Sequence, residues 1–135
     1  MSALPRSVLV GLREDLGVRV MDARMVGGGM VGRTARVEAD KGPIFVKWKE
    51  GAAPRWFAME EDGLNRLRES CPLRIPNVLG FRDASEADPP WLALEWLEVR
   101  PPSNRRAFDR ALGEGLAQMH RETTTDRFGL EVDNF

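Results

Sequence analysis

Cysteine and histidine each occur once in this chain of 135 residues, as Cys71 and His120. A single thiol cannot close an internal disulfide and fits a reducing compartment. One Cys and one His cannot supply the ligand set of a zinc-type metal site. Ser7 and Ser103 have no base nearby in the sequence, so no acyl-transfer triad suggests itself. Long apolar runs are also missing. Val8-Leu9-Val10 is broken by Arg13, Glu14 and Asp15, which excludes a signal peptide or membrane span at the N-terminus. Charge of one sign is lacking too: 20 Lys and Arg against 21 Asp and Glu give a net charge of −1. Nothing therefore favours nucleic acid or an anionic membrane. There is no internal repeat and no low-complexity segment. The length suits one compact domain with a real core, and the expected location is the cytoplasm.

What is present is organised around Met25 to Trp48. Gly27-Gly28-Gly29-Met30-Val31-Gly32 matches G-x-G-x-x-G, a pattern that is weak evidence alone. A dinucleotide fold needs a helix directly after the glycines. Here Thr34, Arg36 and Glu38 alternate with Ala35, Val37 and Ala39, which is strand-like. Gly27-x4-Gly32-Arg33-Thr34 also nearly spells a Walker loop, but arginine replaces its lysine and no helix follows. A strand-flanked glycine loop of the protein-kinase-like kind remains, beside the plain alternative of a glycine turn in an ordinary hairpin.

Lys47 and Glu60 weigh on that choice. After the turn Asp40-Lys41-Gly42-Pro43, the strand Ile44-Phe45-Val46-Lys47-Trp48 puts Phe45, Lys47 and Lys49 on one face. A lysine in an apolar strand must reach water or find a partner. It could bind phosphates and be held by a glutamate, or simply snorkel from an edge. Phe45, on the same face, offers a flat surface for a purine. The following helix, Pro54 to Ser70, carries Phe57, Leu64 and Leu67 on one stripe, with Glu60 near its centre and Glu61 off it. An inward carboxylate calls for a cation, and Lys47 is the natural candidate. A solvated Glu60 is the alternative.

Elsewhere, Ser7 to Leu16 reads as a helix stopped by Gly17, and Val18 to Val26 as extended. Cys71-Pro72 ends the Glu60 helix. A strand is expected around Val78 to Phe81, a surface turn over Asp83 to Pro90, and a buried strand over Trp91 to Leu97. The exit of that last strand could read adenine through the carbonyl of Glu95 and the amide of Leu97, or could be a simple linker. Arg105 to Arg121 is helical, capped by Asn104, with Phe108, Leu112, Leu116 and Met119 in a stripe. His120, beside that stripe, reads as a packed, hydrogen-bonded core residue rather than a catalyst.

Several segments together resemble the fructosamine kinase (ketosamine 3-kinase) family, a member of the aminoglycoside-phosphotransferase-like branch of the protein-kinase-like fold. They are the glycine loop, Phe45-Val46-Lys47, Phe57-x-x-Glu60-x-x-Gly63-Leu64, Leu92-x-Leu94-Glu95-x-Leu97, Leu116-Ala117-x-Met119-His120 and Phe128-Gly129-Leu130-x-x-Asp133-Asn134-Phe135. The resemblance runs from about Val26 to the last residue. It implies an α+β fold: a mostly antiparallel sheet of about five strands with one packed helix, then the start of a helical lobe. Residues 1–97 would be the nucleotide-binding lobe, 98–104 the hinge and 105–135 the first part of the second lobe.

It also implies ATP and Mg²⁺ as cofactors, and as acceptor a sugar attached to an amine, either a small molecule or a glycated protein, so that phosphorylation serves deglycation. The ATP-binding residues would be Gly27, Gly28, Gly29, Met30, Gly32, Phe45, Lys47, Glu60, and the hinge Glu95, Trp96 and Leu97. Some relatives carry a cysteine near the position of Met30, so thiol control through the loop is not expected here. The family's histidine-glycine-aspartate catalytic loop and its metal-binding asparagine and aspartate do not occur in these residues. The chain alone is therefore expected to be inactive, with no catalytic or metal-ligating residue of its own and a tendency to self-associate through the 105–121 helix. A non-catalytic nucleotide-binding module, or a phosphotransferase for aminoglycosides or choline-like alcohols, are the alternatives.

Overall fold

A computed structural model describes residues 3–27, 32–127 and 129. Among the described residues, helix α1 (Arg6–Leu16) precedes strands β1 (Val20–Met25), β2 (Arg33–Ala39) and β3 (Gly42–Trp48). Helix α2 (Trp56–Ser70), strands β4 (Val78–Arg82) and β5 (Trp91–Glu95), and helix α3 (Arg105–Glu122) follow. The strands form one antiparallel sheet in the order β1-β2-β3-β5-β4, so β5 is inserted beside β3. This is the α+β architecture expected from the sequence.

Period-two alternation sorts the sheet's side chains between two helices. Ala35, Val37 and Ala39 of β2, Ile44, Val46 and Trp48 of β3, and Trp91 and Ala93 of β5 point to one side, where Leu4, Val8 and Leu12 close the core. Val8 and Leu12 lie one turn apart on α1, and both are fully buried. Gly17 ends α1 in the left-handed region at φ 60°, its N–H donating to the Arg13 carbonyl at 3.1 Å. Arg82 of β4 reaches across to Glu14 and Asp15 at the end of α1 and fastens the helix to the far edge of the sheet.

Helix α2 covers the opposite face only in part. Phe57 is buried with Leu92 and Leu94, and Leu64, Val78 and Phe81 pack around them. Two expectations are corrected here. The helix begins at Trp56 rather than Pro54, because Arg55 adopts a left-handed φ of 63° that is outside helical geometry. The inward stripe also stops at Leu64, since Leu67 is 38% exposed. On the cleft face of β2, Thr34, Arg36 and Glu38 remain half-buried.

Strand β5 is shorter than its sequence suggests, ending at Glu95 instead of Leu97. Its last partner on β3 is Ile44, and the residue before that is Pro43, which has no N–H to donate. The ladder therefore stops and residues 96–100 leave the sheet.

Helix α3 begins as expected, the Asn104 side-chain oxygen accepting from the Ala107 N–H at 3.0 Å. Its only buried residue is Gly115, against Leu73. The predicted stripe lies open: Phe108 is 49% exposed, Leu112 39% and Leu116 40%. His120 is exposed as well, which overturns its reading as a packed core residue. No described element covers the apolar side of α3, so there is no core there for the ring to join.

Candidate functional site

The face of the sheet that α2 covers only in part holds the charged and aromatic groups of the expected nucleotide cleft. Strand register arranges them in two rows. Thr34, Lys47 and Leu92 are opposite one another in the row nearer the glycine loop, while Arg36, Phe45 and Leu94 form the next row toward the exit of β5.

In the first row Lys47 meets Glu60. Its Nζ donates to both carboxylate oxygens, at 2.6 and 2.8 Å, across a sequence separation of 13 residues. Strand alternation points Lys47 toward α2, and the burial of Phe57 one turn earlier turns Glu60 back toward the sheet. The side chains remain 29% and 30% exposed, so the pair is accessible from the cleft rather than sealed in the core. The ammonium also lies 6.0 Å from the centre of the Phe57 ring, at the outer limit for a cation–π contact. One further position along the same face, Lys49 rests its ammonium 4.6 Å over the Trp56 ring.

The loop is pinned at its base. Val26 N–H donates to the Thr34 carbonyl at 2.9 Å, and the Thr34 hydroxyl donates to the Val26 carbonyl at 2.6 Å. Gly27 and Gly32 flank it; Gly28, Gly29 and Met30 lie outside the described residues. The two flanking glycines differ. A Cβ on Gly32 would come within 3.1 Å of the Trp48 carbonyl oxygen, whereas one on Gly27 would meet nothing within 4 Å. Packing therefore favours glycine at 32 but places no such demand at 27.

At the other end of the cleft, Glu95 is held by its side chain. Its carboxylate accepts from Arg74 at 2.8 and 3.2 Å and from Asn77 at 2.8 Å, and its N–H donates to the Asn77 carbonyl at 2.9 Å. The Arg74 guanidinium first, and Asn77 with it, hold this carboxyl below the usual value. Trp96 turns toward the sheet. Its ring centre is 6.4 Å from that of Phe45, and the Arg36 guanidinium carbon is 4.8 Å from its centre. Leu97 follows, half-buried, outside the ladder.

The fold thus brings Lys47 and Glu60 together, and sets Phe45 beside Trp96, two residues past the end of the Leu94 row. Thr34, Arg36, Arg74 and Asn77 also shape the site but are missing from the sequence-derived set. Thr34 had a usable signal, a hydroxyl at the strand entry after a glycine loop. Arg74 and Asn77 had none, because their partner is 21 and 18 residues away. Among the described residues, no cluster of three His, Cys, Asp or Glu side chains could hold a metal ion, and no helix is long and apolar enough to cross a membrane.

Comparison with known proteins bears on this arrangement. The family model described as fructosamine kinase matches residues 8–135. A chloroplastic protein-ribulosamine 3-kinase of Arabidopsis thaliana is 29% identical over 124 residues, covering 91% of this chain and 37% of its own length. The Escherichia coli (strain K12) protein named "Probable ketoamine kinase YniA" is 29% identical over 124 residues, or 42% of its length. A crystal structure assigned to a fructosamine-3-kinase of Thermobifida fusca superposes with a TM-score of 0.73 at 31% identity, covering 98% of this chain and 44% of that one. The chain therefore spans about two fifths of the length of these relatives. With a family match over nearly its whole length and a fold in common with a solved relative, the chain belongs to the fructosamine kinase family.

Proposed function

We propose that this chain is the ATP-binding part of a kinase that phosphorylates ketosamines, sugars joined to an amine as in fructosamine or ribulosamine. The observation that carries the reading is the two-pronged Lys47–Glu60 pair beside Thr34, whose hydroxyl pins the base of the glycine loop. An ammonium fixed by a carboxylate keeps its charge and a set position, and in a kinase-like cleft it meets the phosphates nearest the base. Glu60 orients that lysine and touches no reacting atom. The loop amides would lie over the phosphates, and the Glu95 carbonyl and Leu97 amide at the cleft's far end would read the adenine edge. In the transfer itself, a hydroxyl oxygen of the acceptor attacks the terminal phosphorus, the bond to the bridging oxygen breaks, and ADP leaves.

The family's histidine-glycine-aspartate loop, which would supply the base for the hydroxyl proton, does not occur in this sequence. Among the described residues no cluster of three His, Cys, Asp or Glu side chains could hold the Mg²⁺ that offsets phosphate charge when bound. Asp133 and Asn134 lie outside the described residues. We infer that residues 1–97 form the nucleotide-binding lobe, 98–104 the hinge and 105–135 the start of the helical lobe. By itself the chain binds ATP without transferring phosphate, and associates with a second copy through the open α3 stripe. The cytoplasm is the proposed location.

Isothermal titration of the 135-residue chain with ATP tests the reading. Binding that weakens about 10- to 100-fold in Lys47→Ala supports it. Equal binding by both proteins removes its basis.

A further inference from the structure

The base end of the cleft is already covered by one of the protein's own rings. Phe45 and Arg36 face each other across β2 and β3 and together make a platform, one pleat from Lys47. Trp96, two residues past Leu94 and on the same side of the sheet, lays its indole on that platform. Three contacts hold it. The Phe45 ring is 6.4 Å away centre to centre, with the planes inclined at 37°. The Arg36 guanidinium sits 4.8 Å from the indole centre and is itself steadied by Glu38 at 2.9 Å. The indole Nε1–H donates to the Glu98 carboxylate at 3.0 Å.

A base sandwiched between two rings needs about 3.5 Å on each side, hence roughly 7 Å between parallel planes. The Phe45–Trp96 gap is smaller than this and wedge-shaped, so a purine does not fit between them. We propose that Trp96 is an internal competitor for the base platform: a nucleotide gains Phe45 and Arg36 only when the indole leaves them. This rests on the ATP-binding reading above and adds a determinant of affinity to it. The apparent affinity of any base-bearing ligand is then lowered by the fraction of molecules in which the indole is in place. A ligand that has phosphates but no base escapes this penalty, because Lys47 lies in the neighbouring row.

The test is calorimetric titration of the 135-residue chain with ATP, CTP and inorganic tripolyphosphate. It compares wild type with Trp96→Ala, Glu98→Ala and Lys47→Ala. Trp96→Ala is expected to bind ATP and CTP about 3- to 10-fold more tightly, with tripolyphosphate unchanged, the range corresponding to loss of one aromatic or cation–π contact. Glu98→Ala, which frees the indole without touching the platform, shifts both nucleotides the same way by a smaller factor. If Lys47→Ala weakens ATP binding as expected while Trp96→Ala binds ATP no more tightly than wild type, the competition is refuted and the ATP reading survives. If neither wild type nor Trp96→Ala binds ATP, both fall together.

Discussion

Lys47 and Glu60 face each other across the gap between β3 and α2, one ammonium shared between two carboxylate oxygens at 2.6 and 2.8 Å. This contact joins the sheet to its helix and places a fixed positive charge beside Thr34, at the base of the glycine loop. A charge-assisted hydrogen bond contributes about 1.5–3 kcal/mol, so Lys47→Ala should weaken ATP binding by roughly 10- to 100-fold. Glu60→Gln keeps the shape but loosens the lysine, and a smaller loss is expected. The two effects should not add in the double variant, because both act through one contact. Strictly additive losses would show that the residues meet ATP independently.

The two flanking glycines of the loop separate fold from function. Gly27→Ala meets no neighbour within 4 Å, so the melting temperature should hold. Any loss of ATP affinity in this variant would then report close approach of the phosphates to the backbone. Gly32→Ala pushes against the Trp48 carbonyl oxygen at 3.1 Å and should lower the melting temperature as well. Thermal melts paired with ATP titrations distinguish the two outcomes.

Under α1, Gly11 lies against the Trp91 indole, and a Cβ there would be 2.5 Å from Nε1 and 2.9 Å from Cε2. The indole is buried and has no room to yield. Gly11→Ala should cost about 1–3 kcal/mol by overpacking, outweighing alanine's better helix propensity of about 1 kcal/mol. Gly80→Ala would meet only the end of the Leu16 side chain at 2.7 Å, which can rotate away, and should cost less. Denaturant titration of the two variants gives the comparison.

Glu95 carries a pH signature. Arg74, and Asn77 after it, hold its folded carboxyl below the usual 4.5, so the unfolded chain takes up this proton first. The stability it contributes is complete above the unfolded value and is lost as pH falls through the lower, folded value. Wild type should therefore lose more stability than Glu95→Gln between pH 7 and acid, with the two curves parallel above about pH 6. Urea melts across that range would contradict the assignment if both proteins declined alike.

The α3 stripe should drive association. Phe108, Leu112 and Leu116 are 49%, 39% and 40% exposed on one helix face, and apolar patches of this kind favour contact with another surface. Sedimentation should show weight-average mass rising with concentration, and Leu112→Glu should abolish the rise. A monomer at all concentrations would remove self-association from the proposal.

Much of this was legible from residue order. The alternation of Thr34, Arg36 and Glu38 with Ala35, Val37 and Ala39 marked a strand where a dinucleotide fold needs a helix. The apolar spacing of Phe57 and Leu64 turned Glu60 inward, toward the only nearby strand that offers a lysine on the same face. Periodicity of 2 and of 3.6 assigns faces, and faces suffice when partners belong to consecutive elements. Leu67 and His120 were misread for the same reason. A stripe shows which side could be buried, while the length of the neighbouring element decides how much of it is.

Only the tertiary structure could decide contacts between segments without a shared local pattern. Insertion of β5 between β3 and β4 brings Glu95 to Arg74 and Asn77, and lets Trp96 fold over Phe45 under Arg36. The sequence determined which groups face the cleft, because side-chain direction follows from backbone period. Which of them touch depends on strand order and on where the ladder ends at Pro43. Those are set by packing of the whole sheet, which no window of sequence contains.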